Sequence, residues 1–277
     1  RGGHEGGGSG MREIAISDVE FGQFRELMRR VAGVDLPESR RHLVSGRLSR
    51  RLRATGLASY GAYYQLVCGG SAPDEYQRML DLLTTHETYF FREPRRLAHR
   101  AGAVLESLAR VRAPRVWSAA CSSGEEAYSI AMVLMDRLGE ASPWEVFGSD
   151  LSREVLVRAR SGVYPGDRID GIPPDYLRRF CRRGAGGTGA TLEVEPALRQ
   201  RVRFAQVNLN DSLSAVGEFD VIFLRNVLIY FDAPSKQQIV ARVVRQLRPG
   251  GWLFTGHSES LSGVRADLRQ ERPSIYR

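Results

Sequence analysis

The stretch Arg115–Leu134, RVWSAACSSGEEAYSIAMVL, passes from an apolar strand through a turn of small residues into a helix. That arrangement places a nucleotide beyond the carboxyl end of a strand. The turn holds a single glycine, Gly124, where a dinucleotide fingerprint needs three, and it lacks the lysine of a phosphate-binding loop. Two carboxylates, Glu125 and Glu126, open the helix. A helix N-terminus favours anions, but this pair would repel a phosphate.

The residues that end the other strands complete the set. Asp150 closes VFGSD, Asn208 and Leu209 follow RVRFAQV, and Arg225 with Asn226 follows FDVIFL. An acid at the position of Asp150 is a partner for a ribose diol; an N-cap for the helix LSREVL is an equally good reading. A nucleoside with positive charge and no phosphate fits this group, and S-adenosylmethionine is such a ligand. Opposite charges at ~4 Å gain about 1–4 kcal/mol, depending on the local dielectric. The plainer role for Glu125 and Glu126 is to satisfy the helix dipole; the ligand role is assigned to Glu125.

Around these residues the chain alternates strand and helix. Apolar strands RVWSAA, WEVFGSD, RVRFAQVNL, FDVIFLRNVL and GWLFTGH are separated by helices EEAYSIAMVLMDRL, SREVLVRARSG and PSKQQIVARVVRQL, the last closed by RPGG. This grammar predicts a doubly wound parallel sheet, an α/β fold, over residues 85–277. Residues 11–84 read as helices only, a small all-helical N-terminal domain with Ser17 as an N-cap and Phe21, Phe24 and Leu27 on one stripe. Residues 176–206 break the rhythm with a glycine-rich centre and TLEVEP, predicting a helix and a small antiparallel β insert. Residues 1–10, RGGHEGGGSG, read as a linker.

The 277 residues are 42% hydrophobic and 26% charged, ordinary for a globular protein. No apolar run approaches the ~20 residues of a membrane span, so a cytoplasmic protein without membrane insertion is expected. Cys68, Cys121 and Cys181 are widely spaced, which argues against a disulfide framework or a zinc site, and the histidines show no ligand spacing, so no metal is expected. The net charge of +8 invites acidic partners. In RRHLVSGRLSRRLR, Arg40, Arg47 and Arg51 fall near one line at helical spacing with Arg50 beside them, a stripe that could steer an acidic partner or simply face solvent.

Five strings in order, LTTHETYFFREP, WSAACSSGEEAYSIAM, GSDLS, FDVIFLRNVLIYFD and GGWLFTGHSESL, resemble the CheR-type chemotaxis receptor methyltransferases, over roughly residues 15–277. The resemblance implies a Rossmann-like class I methyltransferase sheet, S-adenosylmethionine as methyl donor with S-adenosylhomocysteine as product, and glutamate side chains of chemoreceptors as acceptors. Carried over by position, His86, Thr88, Arg92, Glu125, Asp150, Asn208, Leu209, Arg225 and Asn226 would surround the cofactor. Arg92 and Tyr230 would lie closest to the chemistry. His86 departs from the family, where asparagine is usual, and its protonation near neutral pH adds a variable.

A free glutamate, with pKa about 4.3, is already an anion at neutral pH, so the transfer needs no general base. Positioning and desolvation would then do the catalysis, with Arg92 on the cofactor's carboxylate or on the incoming glutamate and Tyr230 orienting substrate and donor. The plainer readings are a surface ion pair for Arg92 and a core aromatic for Tyr230. The resemblance implies that, as in many relatives, the inserted sheet could take a receptor's C-terminal tail by strand addition; docking at the methylation region alone is equally compatible. A nucleic-acid methyltransferase is the rival enzyme, but RNVLIYF lacks a proline pair and no ladder of aromatic and basic residues is present for stacking bases. A non-catalytic adaptor binding the same cofactor would carry the same binding residues.

Overall fold

The computed structural model describes residues 14–93, 102–184, 190–264 and 268–277. Four helices come first: α1 (Asp18–Ala32), α2 (Arg41–Thr55), α3 (Tyr60–Cys68) and α4 (Pro73–Leu83). Ser17 and Glu20 form a reciprocal capping box at the start of α1. The stripe of Phe21, Phe24 and Leu27 is buried against Tyr60, Tyr63, Met79 and Leu83. Burial of Phe24 alone contributes about 2 kcal/mol.

After the short α5 (Gly102–Ser107), β1 (Arg115–Ala119), α6 (Glu125–Leu138), β2 (Glu145–Asp150) and α7 (Arg153–Ser161) build the first half of the sheet. The strands β6 (Val202–Gln206), β7 (Phe219–Leu224) and β8 (Leu247–Thr255) complete its parallel part, with α10 (Ala233–Val244) between the last two. The order is β6-β2-β1-β7-β8-β10-β9, where β9 (Gln270–Arg272) and β10 (Ile275–Tyr276) pair antiparallel at one edge. Side chains alternate between faces. Val116, Val146, Val221 and Phe223 pack toward α6, while Trp117, Ile222 and Leu224 pack toward Ile239 and Val243 of α10. Apolar residues on both faces are the reason the strands read as continuous hydrophobic runs.

A separate three-stranded sheet, β3 (Val163–Pro165), β5 (Thr191–Val194) and β4 (Cys181–Gly184), is antiparallel and holds α8 (Pro174–Phe180) beside it, with α9 (Pro196–Arg199) following β5. Its first strand lies ahead of residue 176, in VYP, too short to register as a pattern. The glycine-rich centre at 185–189 and the expected linker at 1–10 lie outside the described residues. Two expectations change. RPGG does not close the helix: α10 ends at Val244, and RPGG lies inside β8, where the register with β7 shifts between Phe219 and Val221. The sheet also ends in an antiparallel hairpin that QERPSIYR hid, its strands being three and two residues long.

The helical region is tied to the sheet at the sites that matter. Val34 and Phe231 form an antiparallel bridge, and Asp35 N donates to Tyr230 O at 2.8 Å. Asn208 Nδ2 donates to Val31 O at 2.7 Å, near the end of α1. Among the described residues no helix is long and apolar enough to cross a membrane.

Candidate active site

A cleft opens beyond the carboxyl ends of β1, β2, β6 and β7, roofed by the helical region through Ala32, Val34, Arg40 and Leu83. This is where an open α/β sheet binds ligands. His86, Thr88, Arg92, Asp150, Asn208, Leu209, Arg225, Asn226 and Tyr230 all line it.

The loop Thr84–Glu93 is held at both ends. Phe90 and Phe91 are buried anchors; the Phe90 ring meets Tyr164 edge-on at 4.9 Å, and Phe91 N donates to Ser129 Oγ at 2.9 Å. Phe91 and Glu93 take positive φ values of 52° and 60°, so the chain reverses sharply around Arg92. At the other end Thr84 Oγ1 and His86 Nε2 share a hydrogen bond of 2.8 Å, and Ser122 Oγ donates to His86 O at 3.1 Å. The two aromatics of YFFR therefore fix the loop, which leaves Thr88 and Arg92 to face the cleft.

The turn after β1 is tightly wound. Ala120 and Ser122 have φ of 61° and 51°, unusual for residues with a side chain, and Gly124 has 94°. A Cβ at Gly124 would lie 3.0 Å from Ala159 Cβ and 3.1 Å from Tyr164 Oη, so close packing as well as backbone conformation requires glycine there. Cys121 is buried, and burial raises its thiol well above the ordinary value, in keeping with a packed rather than reactive residue.

Asp150 joins this turn to the next one. Its Oδ2 accepts from Ser122 N at 2.9 Å and its Oδ1 from Ser152 N at 3.0 Å. Ser152, not Asp150, caps α7. Each Asp150 oxygen has a second acceptor site, so the carboxylate can hold the turn and take ribose hydroxyls together. Burial raises the Asp150 carboxyl from its ordinary value, opposed by His86 and by backbone amides. His86 Nδ1 stands 4.0 Å from Asp150 Oδ1, a His–Asp juxtaposition absent from the sequence-based expectations.

The glutamate assignment is revised. Glu125 is 1% exposed and does not line the cleft; Ser123 Oγ donates to its Oε2 at 2.7 Å, and Arg168 lies 4.0 Å from its Oε1. Burial raises its carboxyl above the ordinary range. Glu126 lines the cleft, accepting from Ser118 Oγ at 2.8 Å and from Arg225 Nη1 at 3.0 Å. One residue along a helix turns a side chain by about 100°, and the path of the turn decides which glutamate faces in. Arg225 also donates to Glu93 Oε2 and to Arg92 O, each at 3.0 Å, so it braces the Arg92 loop from beneath.

The expected basic stripe separates into different roles. Arg51 donates to both oxygens of Glu75 at 2.6 and 2.7 Å, and Arg47 Nη1 donates to Leu82 O and Thr84 O at 2.8 Å each. Both arginines are struts between α2 and α4. Arg50 is exposed, and Arg40 lies at the cleft with its guanidinium 5.2 Å from the Tyr230 ring centre. On another part of the rim, Arg92 lies 5.4 Å from the centre of the Tyr89 ring and donates to Glu87 O at 2.8 Å. Arg40 is the cleft residue that sequence reasoning placed elsewhere. Arg40 closes the 3-10 turn Glu38–Arg40 that follows Pro37 and leads into α2.

The residues fit a cationic nucleoside without phosphate: Asp150 brings an acid to the wall, Glu126 brings a second one paired with Arg225, and the turn presents no lysine. The comparisons with known proteins agree. The family model "CheR methyltransferase, SAM binding domain" matches residues 86–276, and "CheR methyltransferase, all-alpha domain" matches residues 19–84. A chemotaxis protein methyltransferase of Escherichia coli (strain K12) is 42% identical over 267 residues, covering 95% of this chain and 92% of that protein. A chemotaxis protein methyltransferase of Salmonella typhimurium is 40% identical over 268 residues, covering 96% and 92%. Chemotaxis protein methyltransferase 2 of Pseudomonas aeruginosa is 40% identical over 269 residues, covering 96% and 95%.

Proposed function

The chain belongs to the CheR methyltransferase family, and from that premise we propose that it methylates glutamate side chains of chemoreceptor-type proteins. It is an S-adenosylmethionine-dependent methyltransferase of chemotaxis; the acceptor and the residue roles are our reading. When bound, S-adenosylmethionine supplies a methyl group on a sulfonium, an electrophile that needs only an anion positioned in line. Asp150 would hold the ribose hydroxyls, and Glu126, paired with Arg225, would place its remaining acceptor sites toward the cationic end.

The observation that carries the acceptor assignment is the rim. Arg40 over Tyr230 and Arg92 over Tyr89 present two guanidinium groups stacked on aromatic rings above an acid-lined floor. A ring-stacked guanidinium keeps its full charge for an incoming carboxylate. The glutamate arrives ionised, so no side chain has to remove a proton. His86 is tied to Thr84 Oγ1 through its Nε2, and its Nδ1 stands 4.0 Å from Asp150 Oδ1, so its contacts serve the loop. Arg92 would align the carboxylate, Tyr230 would hydrogen-bond to it, and removal of its water would raise its nucleophilicity. Arg40 would guide acidic segments in, with Arg50 assisting from α2 and Arg47 and Arg51 serving structure. The small sheet β3–β5 is a further surface on which a receptor's C-terminal tail could add a strand.

The test is incubation with tritiated S-adenosylmethionine and either receptor cytoplasmic fragments or nucleic acid. Base-labile label on receptor glutamates is expected. Base-stable label, or label on nucleic acid, would overturn the reading.

A further inference from the structure

The segment TGHSES after β8 contains a buried acid outside the cleft lining. Glu259 is 4% exposed. Its Oε2 accepts from Asn226 N and from Gly256 N, each at 2.7 Å, and its Oε1 accepts from Ile229 N at 3.3 Å. Thr255 Oγ1 donates to Glu259 O at 2.8 Å, and Glu259 N donates to Gly256 O at 3.1 Å, so the turn carrying the acid is itself fastened. A buried carboxylate that accepts backbone amides is strongly oriented, because each bond is charge-assisted.

Two of those amides, Asn226 N and Ile229 N, belong to the loop that supplies Arg225, Asn226 and Tyr230 to the cleft, while Gly256 N belongs to the turn that carries the acid. Asn226 has a φ of 58°, in the left-handed region that asparagine tolerates better than most residues with a side chain. Leu228–Tyr230 is a single 3-10 turn. On its far side the same loop is held by the helical region, through the Val34–Phe231 bridge and the bond from Asp35 N to Tyr230 O. The fit is close: a Cβ at Gly256 would lie 2.4 Å from Glu259 Oε2 and 2.9 Å from Asn226 N.

We propose that Glu259 is a positioning residue for methyl transfer, a buried brace that fixes the Asn226–Tyr230 loop at the height where its side chains meet cofactor and acceptor. This rests on the reading of the cleft as the methyl-transfer site. Glutamine at 259 could keep the acceptor for Asn226 and Gly256 only by turning its NH2 toward the amide of Ile229. Aspartate would be one methylene too short to reach both sides.

The experiment compares wild type, Glu259→Gln and Gly256→Ala by calorimetric titration with S-adenosylhomocysteine and by steady-state methylation of a receptor fragment. Loss of charge-assisted bonds predicts a Kd raised about tenfold and a kcat lowered about tenfold. The number of cofactor sites per molecule should stay at one. A purely structural acid would instead lower the melting temperature and leave Kd and kcat per folded molecule unchanged, and that result would overturn the proposal. Should Glu259→Gln or Gly256→Ala fail to fold, Glu259→Asp takes its place in the same titration and rate measurement: a raised Kd and lowered kcat per folded molecule support the brace, and unchanged ones refute it. The titration needs no methyl acceptor. A chain that binds S-adenosylhomocysteine but labels no glutamate would therefore refute the acceptor assignment while the brace was still tested.

Discussion

Two groups of arginines, those inside α2 and those at the cleft rim, share a residue type and differ in partner. Arg51 and Arg47 meet a carboxylate and two carbonyls. Arg40 and Arg92 lie over tyrosine rings, Arg92 also donating to Glu87 O within its own loop, and neither forms an ion pair among the described residues. A carboxylate or a pair of carbonyls on a neighbouring helix turns the side chain into a strut; a ring beside it orients the guanidinium and leaves its charge unpaired by an acid. The difference teaches that the position of an arginine along a helix says less about docking than the chemistry of what it touches.

The largest effect should come from the rim. Arg92→Ala should lower kcat/KM for methyl transfer about 100-fold, as for loss of a group that aligns the reactants, with the unfolding midpoint nearly unchanged. Initial rates with tritiated donor measure this; a normal rate would remove Arg92 from the chemistry. The strut should respond oppositely. Arg51→Ala should cost about 2 kcal/mol of stability in urea unfolding, leaving Glu75 part-buried without its partner, while kcat/KM of the folded enzyme stays put.

The same pair predicts a pH dependence. The hydrogen bonds from Arg51 hold the Glu75 carboxyl below its ordinary value, against burial. A lowered folded-state pKa stabilises the protein above the unfolded pKa, about 4.3, and that stability is lost as pH falls through the lowered value. Arg51→Ala should therefore flatten the fall in stability on the acid side of about pH 4.

A smaller effect separates the two glutamates at the start of α6. Glu126→Gln should raise the Kd for S-adenosylmethionine about tenfold, whereas Glu125→Gln should leave it unchanged. The opposite pattern would restore the original assignment. The smallest effect belongs to Arg50, exposed on α2: its reversal to glutamate should raise KM for an acidic receptor fragment about twofold at low salt, within the ~0.5 kcal/mol typical of surface charges, and added salt should erase the change.

Much of this was legible in the sequence where one physical signal dominates. Helix α6 was read at its observed bounds because Gly124 and the paired acids mark its start and the apolar face runs unbroken to Leu138. Asp150, Asn208 and Arg225 were found because strand ends in an open parallel sheet define the cleft. The rest depends on distant partners. Nothing in SSGEE says which glutamate faces inward, since the turn is held by Asp150 from the next strand. Nothing in RRHLVSGRLSRRLR shows that Glu75, 24 positions from Arg51, would claim it. The brace at Glu259 joins residues 33 positions apart and was invisible for the same reason.

The most direct test of the account is tandem mass spectrometry of a receptor cytoplasmic fragment after incubation with the protein and S-adenosylmethionine. The account predicts added methyl groups on glutamate side chains with wild type, and their near-complete loss with Arg92→Ala while cofactor affinity persists. Methylation on lysine, arginine or backbone positions, or undiminished glutamate methylation by Arg92→Ala, would contradict it.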